Sequence, residues 1–329
     1  MDGQTIEETS EEAVGRILTV GRVVQAFFGF CDIRSFTDLT EILQADVVRV
    51  ANSVARHVHQ SVRDNYGAPN KNLGDTFLLV WMTRYGSSVR KIADAALRSF
   101  IRAVLEVSRN KGIAKICNRP DVQYRMPNFE LKLGFGLHYG WAIECAIGSP
   151  LKIDASYLSP HVNLASRLQS ATKKYGVSIL ISGATYALFS PYIQSKCRLV
   201  DRVTLKGSAH PMELYTYDVP PASVNGVSVV DDEIISSTST PDQVFFSSLQ
   251  PSTSERFRNQ FSLGMDYYLG GPDGIQADWT KATVMLSQCL LSIPTDGPSL
   301  AIREYIQSHR QPTGDAPSDW AGYRSLDSK

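Results

Sequence analysis

The sequence lacks the features that mark several classes of protein. Its 329 residues have a formal net charge of 0, with 33 basic and 33 acidic side chains, so the positive surplus of a nucleic-acid-binding protein is missing. No apolar run approaches the roughly 20 residues that cross a bilayer, and the acidic residues 1–12 do not resemble a signal peptide. We therefore predict a cytoplasmic protein that does not bind nucleic acid. A cytosolic module of a larger membrane-associated protein is the open alternative.

Signatures of zinc, disulfide and hydrolase chemistry are also missing. The five cysteines show no CxxC spacing, which favours reduced thiols over a disulfide framework or a zinc site. The six histidines show no ligand spacing such as HExxH. A nucleophile-elbow serine and a Walker glycine-rich loop are absent from the sequence, which counts against hydrolases and P-loop enzymes.

Two aspartates stand beside strongly apolar segments. Asp32 follows the apolar run at residues 23–31, and Asp75 follows Gly74 in a predicted hairpin turn before the run at 77–81. A charge at the edge of an apolar strand is costly unless it is paired or binds a cation. Two carboxylates joined by strand pairing would suit a pair of Mg²⁺ ions, an arrangement typical of phosphoryl chemistry. Each aspartate alone could equally cap a turn.

A further polar pair lies on a predicted helix at residues 160–174. Asn163 and Arg167 are four residues apart, which places them one turn apart on one helix face. A packed inner face explains the apolar residues around them but not this amide and this guanidinium. Together with the two aspartates, the pair indicates nucleotide chemistry at a phosphorus atom.

These segments resemble, in the same order, the sequence blocks of class III nucleotidyl cyclases across residues 25–219. The Asp32 block is similar to the family's first metal-binding strand, and the block from Lys71 to Asp75 is similar to the second. Residues 162–167 resemble the family's transition-state motif, with leucine where valine is more usual. Lys206 falls where the family keeps a phosphate-binding lysine.

The resemblance implies a metal site and a transition-state site. Asp32, Asp75 and the carbonyl of Ile33 would bind two ions of Mg²⁺ or Mn²⁺ per site. Asn163 would orient the ribose, and Arg167 would stabilise charge on the α-phosphate.

Phosphate binding is expected at two further places. Lys206 would bind the terminal phosphates, as the resemblance implies. The turn at Ser35, Phe36 and Thr37 leads from a strand into a helix, where backbone N–H groups favour phosphate oxygens. An ordinary strand-to-helix loop with Thr37 or Asp38 as the N-cap is the simpler interpretation, and the two interpretations are compatible.

The resemblance also implies which residues recognise the base of the nucleotide substrate. Lys71 is similar to the base-selecting lysine of adenylyl cyclases, whose ammonium suits the acceptor N1 of adenine. Ser156 falls at the partner position, where the family's adenylyl cyclases carry Asp, Thr or Ser and its guanylyl cyclases usually carry Cys; Asp154 is a rival. The implied function is an adenylyl cyclase that converts ATP to 3′,5′-cyclic AMP and pyrophosphate. A guanylyl cyclase and a catalytically silent regulatory module are the alternatives.

In this family, the metal half and the Asn/Arg half of each site come from different subunits. One chain here carries both halves, so the resemblance implies a head-to-tail homodimer. An upstream sensor or membrane domain is an open further partner.

The order of apolar segments predicts an α+β fold. Strand, helix, strand, strand, helix, strand matches the ferredoxin-like βαββαβ plan, which is also the fold of class III cyclase catalytic domains. Residues 129–137 and 141–147 are predicted as paired strands. The expected parts of the chain are an N-terminal helix at 1–24, the catalytic domain at 25–219, a flexible linker at 220–254, and a C-terminal helical hairpin and tail at 255–329.

Overall fold

The computed structural model describes residues 21–84, 86–149, 151–206, 210–221, 245–246, 251–270 and 276–326. Most of the predicted N-terminal helix and most of the predicted linker lie outside these residues, and residues 21–24 already belong to the first strand. Within these ranges, no helix has both the length and the apolar composition that a membrane crossing requires.

The strands of the described residues form one mixed sheet. They are β1 (Gly21–Ile33), β2 (Ala68–Leu73), β3 (Thr76–Met82), β4 (Leu133–Ser149), β5 (Lys152–Leu158), β6 (Ile179–Ser182), β7 (Arg198–Leu205), β8 (Met212–Thr216) and β9 (Arg324–Leu326). The order across the sheet is β2-β3-β1-β4-β6-β8-β7-β9, and β5 pairs with β4 beside this path. β1 lies between β3 and β4, which explains why its sequence is a nearly continuous apolar run.

Helices cover both faces of the sheet. They are α1 (Phe36–Leu43), α2 (Val47–Arg63), α3 (Val89–Arg109), α4 (Lys111–Cys117), α5 (Pro120–Arg125), α6 (Pro160–Tyr175), α7 (Gly183–Tyr186), α8 (Pro191–Gln194), α9 (Glu255–Leu269), α10 (Trp279–Ser292) and α11 (Gly297–His309). Phe100 of α3 packs with Phe27 and Phe135 in one buried core. The next residue, Gly136, faces α6 so closely that a Cβ would lie 2.3 Å from the carbonyl oxygen of Ala165. The predicted α+β fold with a ferredoxin-like core is confirmed.

Residues 129–137 and 141–147 do not form two paired strands, so that prediction is wrong. Both segments contribute to β4, whose register with β1 continues without a break through Tyr139 and Gly140. Gly140 serves close packing rather than a turn, because a Cβ there would lie 2.3 Å from the ring of His161 on α6. The second half of β4 pairs instead with β5, a strand that the sequence pattern does not predict.

The C-terminal helices pack directly on the sheet and on α6. α9 contacts β7, and α11 contacts α6. Leu168 and Tyr175 of α6 share a buried core with Phe261 of α9 and Trp279 of α10. A third helix and β9 follow the predicted helical hairpin. The apolar face of the hairpin is buried against α6 and the sheet, because a single helical hairpin cannot bury that face by itself.

Candidate active site

The structure brings the two predicted carboxylates together at one end of β1 and β3. Asp32 is the penultimate residue of β1, and its register partner is Thr76, which follows Asp75 in the β2–β3 hairpin. The backbone N–H of Ile33 donates to the carbonyl oxygen of Asp75 at 3.3 Å. Burial, followed by the negative charge of Asp32, raises the pKa of the Asp75 carboxyl above its ordinary value.

One buried oxygen of Asp32 has no hydrogen-bond donor. Its Oδ1 accepts from the Thr76 hydroxyl at 3.1 Å, whereas Oδ2 accepts no hydrogen bond. The ammonium of Lys173 lies 3.3 Å from Oδ2, which is an ion pair without hydrogen-bond geometry, and the Lys173 side chain is 60% exposed. A buried anionic oxygen without a donor, next to a second carboxylate, fits a divalent cation.

Side-chain ligands for such a cation are few. No group of three or more His, Cys, Asp and Glu side chains suited to a metal occurs in the part of the chain that the structure describes. Asp32 and Asp75 would therefore be completed by backbone oxygen, such as the Ile33 carbonyl, and by oxygens of substrate or water. Mg²⁺ fits this set because it is usually bound by one or two carboxylates together with substrate phosphates.

The turn after β1 presents an uncapped helix start. Ser35 is the N-cap residue of α1 and has left-handed backbone geometry, with a φ of 54°. Its side chain makes no capping hydrogen bond, and Thr37 and Asp38 lie inside the helix, so neither of them is the N-cap. Backbone N–H groups in such a first turn are suited to phosphate oxygens.

Lys71 and Ser156 contact each other across two hairpins. The Lys71 ammonium on β2 donates to the Ser156 hydroxyl oxygen on β5 at 2.5 Å, although 85 positions separate them in sequence. Ser156 is buried and Lys71 is half-buried. Asp154, the rival at this position, instead forms an ion pair with Lys152 at 3.4 Å. The structure thus brings Lys71 to Ser156 and not to Asp154.

Asn163 and Arg167 project from the outer face of α6. The helix starts at Ser159, whose hydroxyl accepts from the backbone N–H of His161, and Pro160 occupies the first turn. Asn163 is exposed and Arg167 is half-buried. Neither side chain forms a hydrogen bond or an ion pair with another described residue, so both are available to a ligand.

Lys206 stands at the end of β7. It is exposed and follows the last residue of that strand directly, and residues 207–209 lie outside the described ranges. Its exposed ammonium can therefore contact a phosphate group of a bound ligand.

The carboxylate pair and Asn163 lie apart within one chain. Lys173 near the end of α6 contacts Asp32, whereas Asn163 lies ten residues earlier on the same helix. This separation is roughly 15 Å along the helix axis. The structure thus places the carboxylate pair beside the C-terminal part of α6 and Asn163 near the start of that helix. Lys173 itself carries no motif that would mark it in the sequence.

One face of the β4–β5 hairpin exposes large apolar side chains. Trp141, Ile143 and Ile147 alternate along β4, and Leu158 on β5 is the register partner of Ile143. These four residues are between 37% and 50% exposed. Ser156 lies on the same face because it is two residues from Leu158. A contiguous apolar patch of this kind is typical of a protein-binding surface.

Comparison with known proteins identifies the family. The sequence profile of the "Adenylate and Guanylate cyclase catalytic domain" family matches residues 22–219. The chain belongs to this family, and the resemblance to class III nucleotidyl cyclases is confirmed.

Two relatives and one solved structure illustrate the similarity. An adenylate cyclase of Anabaena cylindrica is 25% identical over 189 residues, which cover 56% of this chain and 35% of that protein. The terminal-differentiation-specific adenylate cyclase of Dictyostelium discoideum is 28% identical over 190 residues, which cover 56% of this chain and 8% of that protein. A bacterial light-regulated adenylyl cyclase has the same fold, with a TM-score of 0.50 and 24% identity over 61% of this chain and 54% of that one. The chain thus spans about a third of one curated relative and less than a tenth of the other.

Proposed function

We propose that this protein is an adenylyl cyclase that converts ATP to 3′,5′-cyclic AMP and pyrophosphate. The observation that carries the choice of ATP is the contact between Lys71 and Ser156. An ammonium only donates hydrogen bonds, and N1 of adenine only accepts them. Guanine presents an N1–H group at that position, so Lys71 would face a second donor.

Ser156 completes the recognition of the base. Its hydroxyl accepts from Lys71 in the structure, and a hydroxyl has two acceptor lone pairs. With adenine bound, the same oxygen can accept from the 6-amino group while Lys71 donates to N1. Because Ser156 is buried, a base that left its hydroxyl or the ammonium unmatched would lose affinity.

Asp32, Asp75 and the Ile33 carbonyl would hold two ions of Mg²⁺ or Mn²⁺. When bound, such ions lower the pKa of the ribose 3′-hydroxyl and neutralise charge on the triphosphate. The Thr76 hydroxyl fixes Oδ1 of Asp32, and Oδ2, which accepts no hydrogen bond, would be the ligand oxygen.

The remaining residues would bind and orient the nucleotide. Asn163 would hold the ribose so that its 3′-oxygen is in line with the α-phosphorus and the leaving pyrophosphate. Arg167 would donate to α-phosphate oxygens as charge develops there. Lys206 would bind the terminal phosphates, and the N–H groups that follow Ser35, at Phe36 and Thr37, would bind phosphate oxygens.

The active unit is a head-to-tail homodimer with two equivalent sites. Asp32 and Asp75 of one chain would act with Asn163 and Arg167 of the other. The separation of Asn163 from Lys173, the α6 residue that contacts Asp32, supports this assignment. The exposed apolar face of β4–β5, next to Ser156, is the surface that a second copy would cover.

A direct assay tests the function. The purified chain is incubated with ATP or GTP and with Mg²⁺ or Mn²⁺, and the products are identified by chromatography and mass spectrometry. We expect cyclic AMP from ATP at least about tenfold faster than cyclic GMP from GTP, and a rate with Asp75→Asn that is lower by about a thousandfold or more. Faster formation of cyclic GMP would make the protein a guanylyl cyclase. A dimer that forms neither product would be a catalytically silent regulatory module.

A further inference from the structure

The last described strand joins the sheet beside the strand that leads to Lys206. β9 pairs with β7 in parallel, with Val203 opposite Arg324 and Leu205 opposite Leu326. Lys206 is the next residue after Leu205. β9 therefore covers the edge of β7 up to the residue that would bind the terminal phosphates.

Arg324 is the centre of a buried polar network. Its guanidinium donates to Oδ2 of Asp201 at 2.7 Å and to the hydroxyl of Tyr175 at 3.3 Å. Tyr175 donates to the same Asp201 oxygen at 2.6 Å. Arg324 is 4% exposed, and Asp201 and Tyr175 are fully buried. Because the three groups satisfy one another, each restricts the position of the other two.

The network joins elements that are distant in sequence. Tyr175 is the last residue of α6, the helix that carries Arg167, and Asp201 lies in β7. The Arg324 guanidinium also lies over the ring of Tyr305 on α11, 4.6 Å from its centroid. The C-terminal segment is thus connected to both elements that carry proposed phosphate-binding side chains.

We propose that Arg324 is a positioning residue that fixes α6 relative to β7, so that Arg167 and Lys206 bind one triphosphate in the geometry the reaction needs. This inference rests on the proposed cyclase function. Apolar residues of similar volume would stabilise such a junction at least as well as a buried ion pair. Directional hydrogen bonds from Arg324 to Tyr175 and Asp201 additionally restrict sliding of the two elements, and small displacements of catalytic groups are costly.

The test compares Arg324→Gln with the wild type in the full chain. The values of kcat and KM are measured with ATP, and the binding of tripolyphosphate and of adenosine with Mg²⁺ is measured by calorimetry. We expect kcat to fall about tenfold and tripolyphosphate to bind about tenfold more weakly, with adenosine binding unchanged. Arg324→Lys keeps a positive charge opposite Asp201 and should restore part of both losses.

Ile113→Ala is the matched control for a general loss of stability. Ile113 is buried in a different core cluster, on α4, and its truncation lowers the unfolding midpoint without touching α6 or β7. It should leave tripolyphosphate binding unchanged. Wild-type affinity for tripolyphosphate in Arg324→Gln, or a parallel loss of adenosine binding, would overturn the positioning role. Wild-type protein that binds tripolyphosphate but forms no cyclic nucleotide would overturn the proposed function instead.

A second variant covers the case in which Arg324→Gln does not fold. That substitution leaves Asp201 buried without its counter-ion, which is strongly destabilising. The double variant Asp201→Asn/Arg324→Gln leaves no buried charge unpaired and should show the same selective loss of tripolyphosphate binding. A folded double variant with wild-type affinity would contradict the positioning role.

Discussion

Lys71 Nζ lies 2.5 Å from Ser156 Oγ, so a hydrogen bond joins the β2–β3 hairpin to β5. The side-chain amide of the preceding residue, Asn70, donates to the carbonyl oxygen of Ala155 at 3.5 Å. Two consecutive residues of one hairpin thus contact two consecutive residues of the other. The proposed recognition of the base therefore depends on the docking of these two hairpins.

The charge of Lys71 should decide the choice of base. Lys71→Glu places an acceptor opposite the acceptor N1 of adenine, an unmatched contact worth roughly 1–3 kcal/mol. We expect kcat/KM for ATP to fall roughly ten- to hundredfold without full conversion to GTP, because Ser156 remains. The measurement is kcat/KM for both nucleotides.

Lys115→Glu is the control for the change in charge. Lys115 is an exposed lysine on α4, and its reversal should leave both kcat/KM values unchanged. Equal losses for ATP and GTP in Lys71→Glu would show that Lys71 does not select the base.

Removal of one proposed metal ligand should separate activity from stability. Asp75→Asn should lower kcat about a thousandfold or more, since metal ions supply several kcal/mol of transition-state stabilisation. The unfolding midpoint should not fall, because burial and the charge of Asp32 already disfavour ionised Asp75. Asp121→Asn, an exposed aspartate on α5, is the control. Near-normal turnover by Asp75→Asn would refute the two-metal assignment.

If each active site is shared between two chains, two inactive variants should restore activity when they are mixed. Asp32→Asn and Arg167→Ala should each be inactive as homodimers. After subunit exchange, half of the dimers are mixed and each mixed dimer holds one intact site, so about a quarter of wild-type activity should return. Absence of recovery, with exchange shown by native mass spectrometry, would contradict the shared site.

The exposed face of β4–β5 should be the dimer interface. Ile143→Asp buries a charge in that interface and should weaken dimerisation roughly a hundredfold, or about 3 kcal/mol. The dissociation constant is measured by analytical ultracentrifugation. Leu291→Asp on α10, where Leu291 is 84% exposed, is the control on another surface. An unchanged dimer in Ile143→Asp would place the interface elsewhere.

Two stacked histidines predict how stability depends on pH. His138 on β4 is hydrogen-bonded at 2.8 Å both to Ser182 and to His161. Burial, followed by the charge of His161, lowers the pKa of His138 from 6.5 to about 4. Burial also lowers the pKa of His161. Both rings are therefore neutral in the folded chain near neutral pH.

The direction in which the free energy of unfolding changes with pH follows from proton linkage. The unfolded chain binds a proton to His138 more tightly than the folded chain does, so the free energy of unfolding falls as pH decreases from about 6.5 to about 4. The loss is about 3 kcal/mol for the whole interval. Urea unfolding across this range should show the slope in the wild type and a smaller slope in His138→Gln. Equal slopes would assign the effect to other groups.

Much of the fold could be predicted because buried elements leave periodic patterns. The apolar runs of β1 and β3 and the regularly spaced valines of α2 correspond to buried faces. Gly140 illustrates the limit of this approach. In sequence, a glycine needed for a turn cannot be distinguished from a glycine needed for close packing against the ring of His161. The sequence pattern therefore predicts two paired strands in place of the single strand β4.

Contacts between residues distant in sequence could be predicted only where both residues belong to a recognisable sequence motif. The carboxylate pair and the candidate base-selecting residues fall within recognisable blocks. Lys173 beside Asp32 and Arg324 beside Asp201 do not, because a lysine late in a helix and an arginine near the C-terminus resemble ordinary solvated charges. Their partners are set by tertiary packing.

Competition between ATP and GTP tests the central claim most directly. The wild-type chain is given both nucleotides at equal concentration with Mg²⁺ or Mn²⁺, and the ratio of cyclic AMP to cyclic GMP is measured by mass spectrometry. That ratio equals the ratio of the two kcat/KM values. A contact of Lys71 and Ser156 with adenine predicts an excess of cyclic AMP of about tenfold or more with either metal. An excess of cyclic GMP would contradict the assignment of this protein as an adenylyl cyclase.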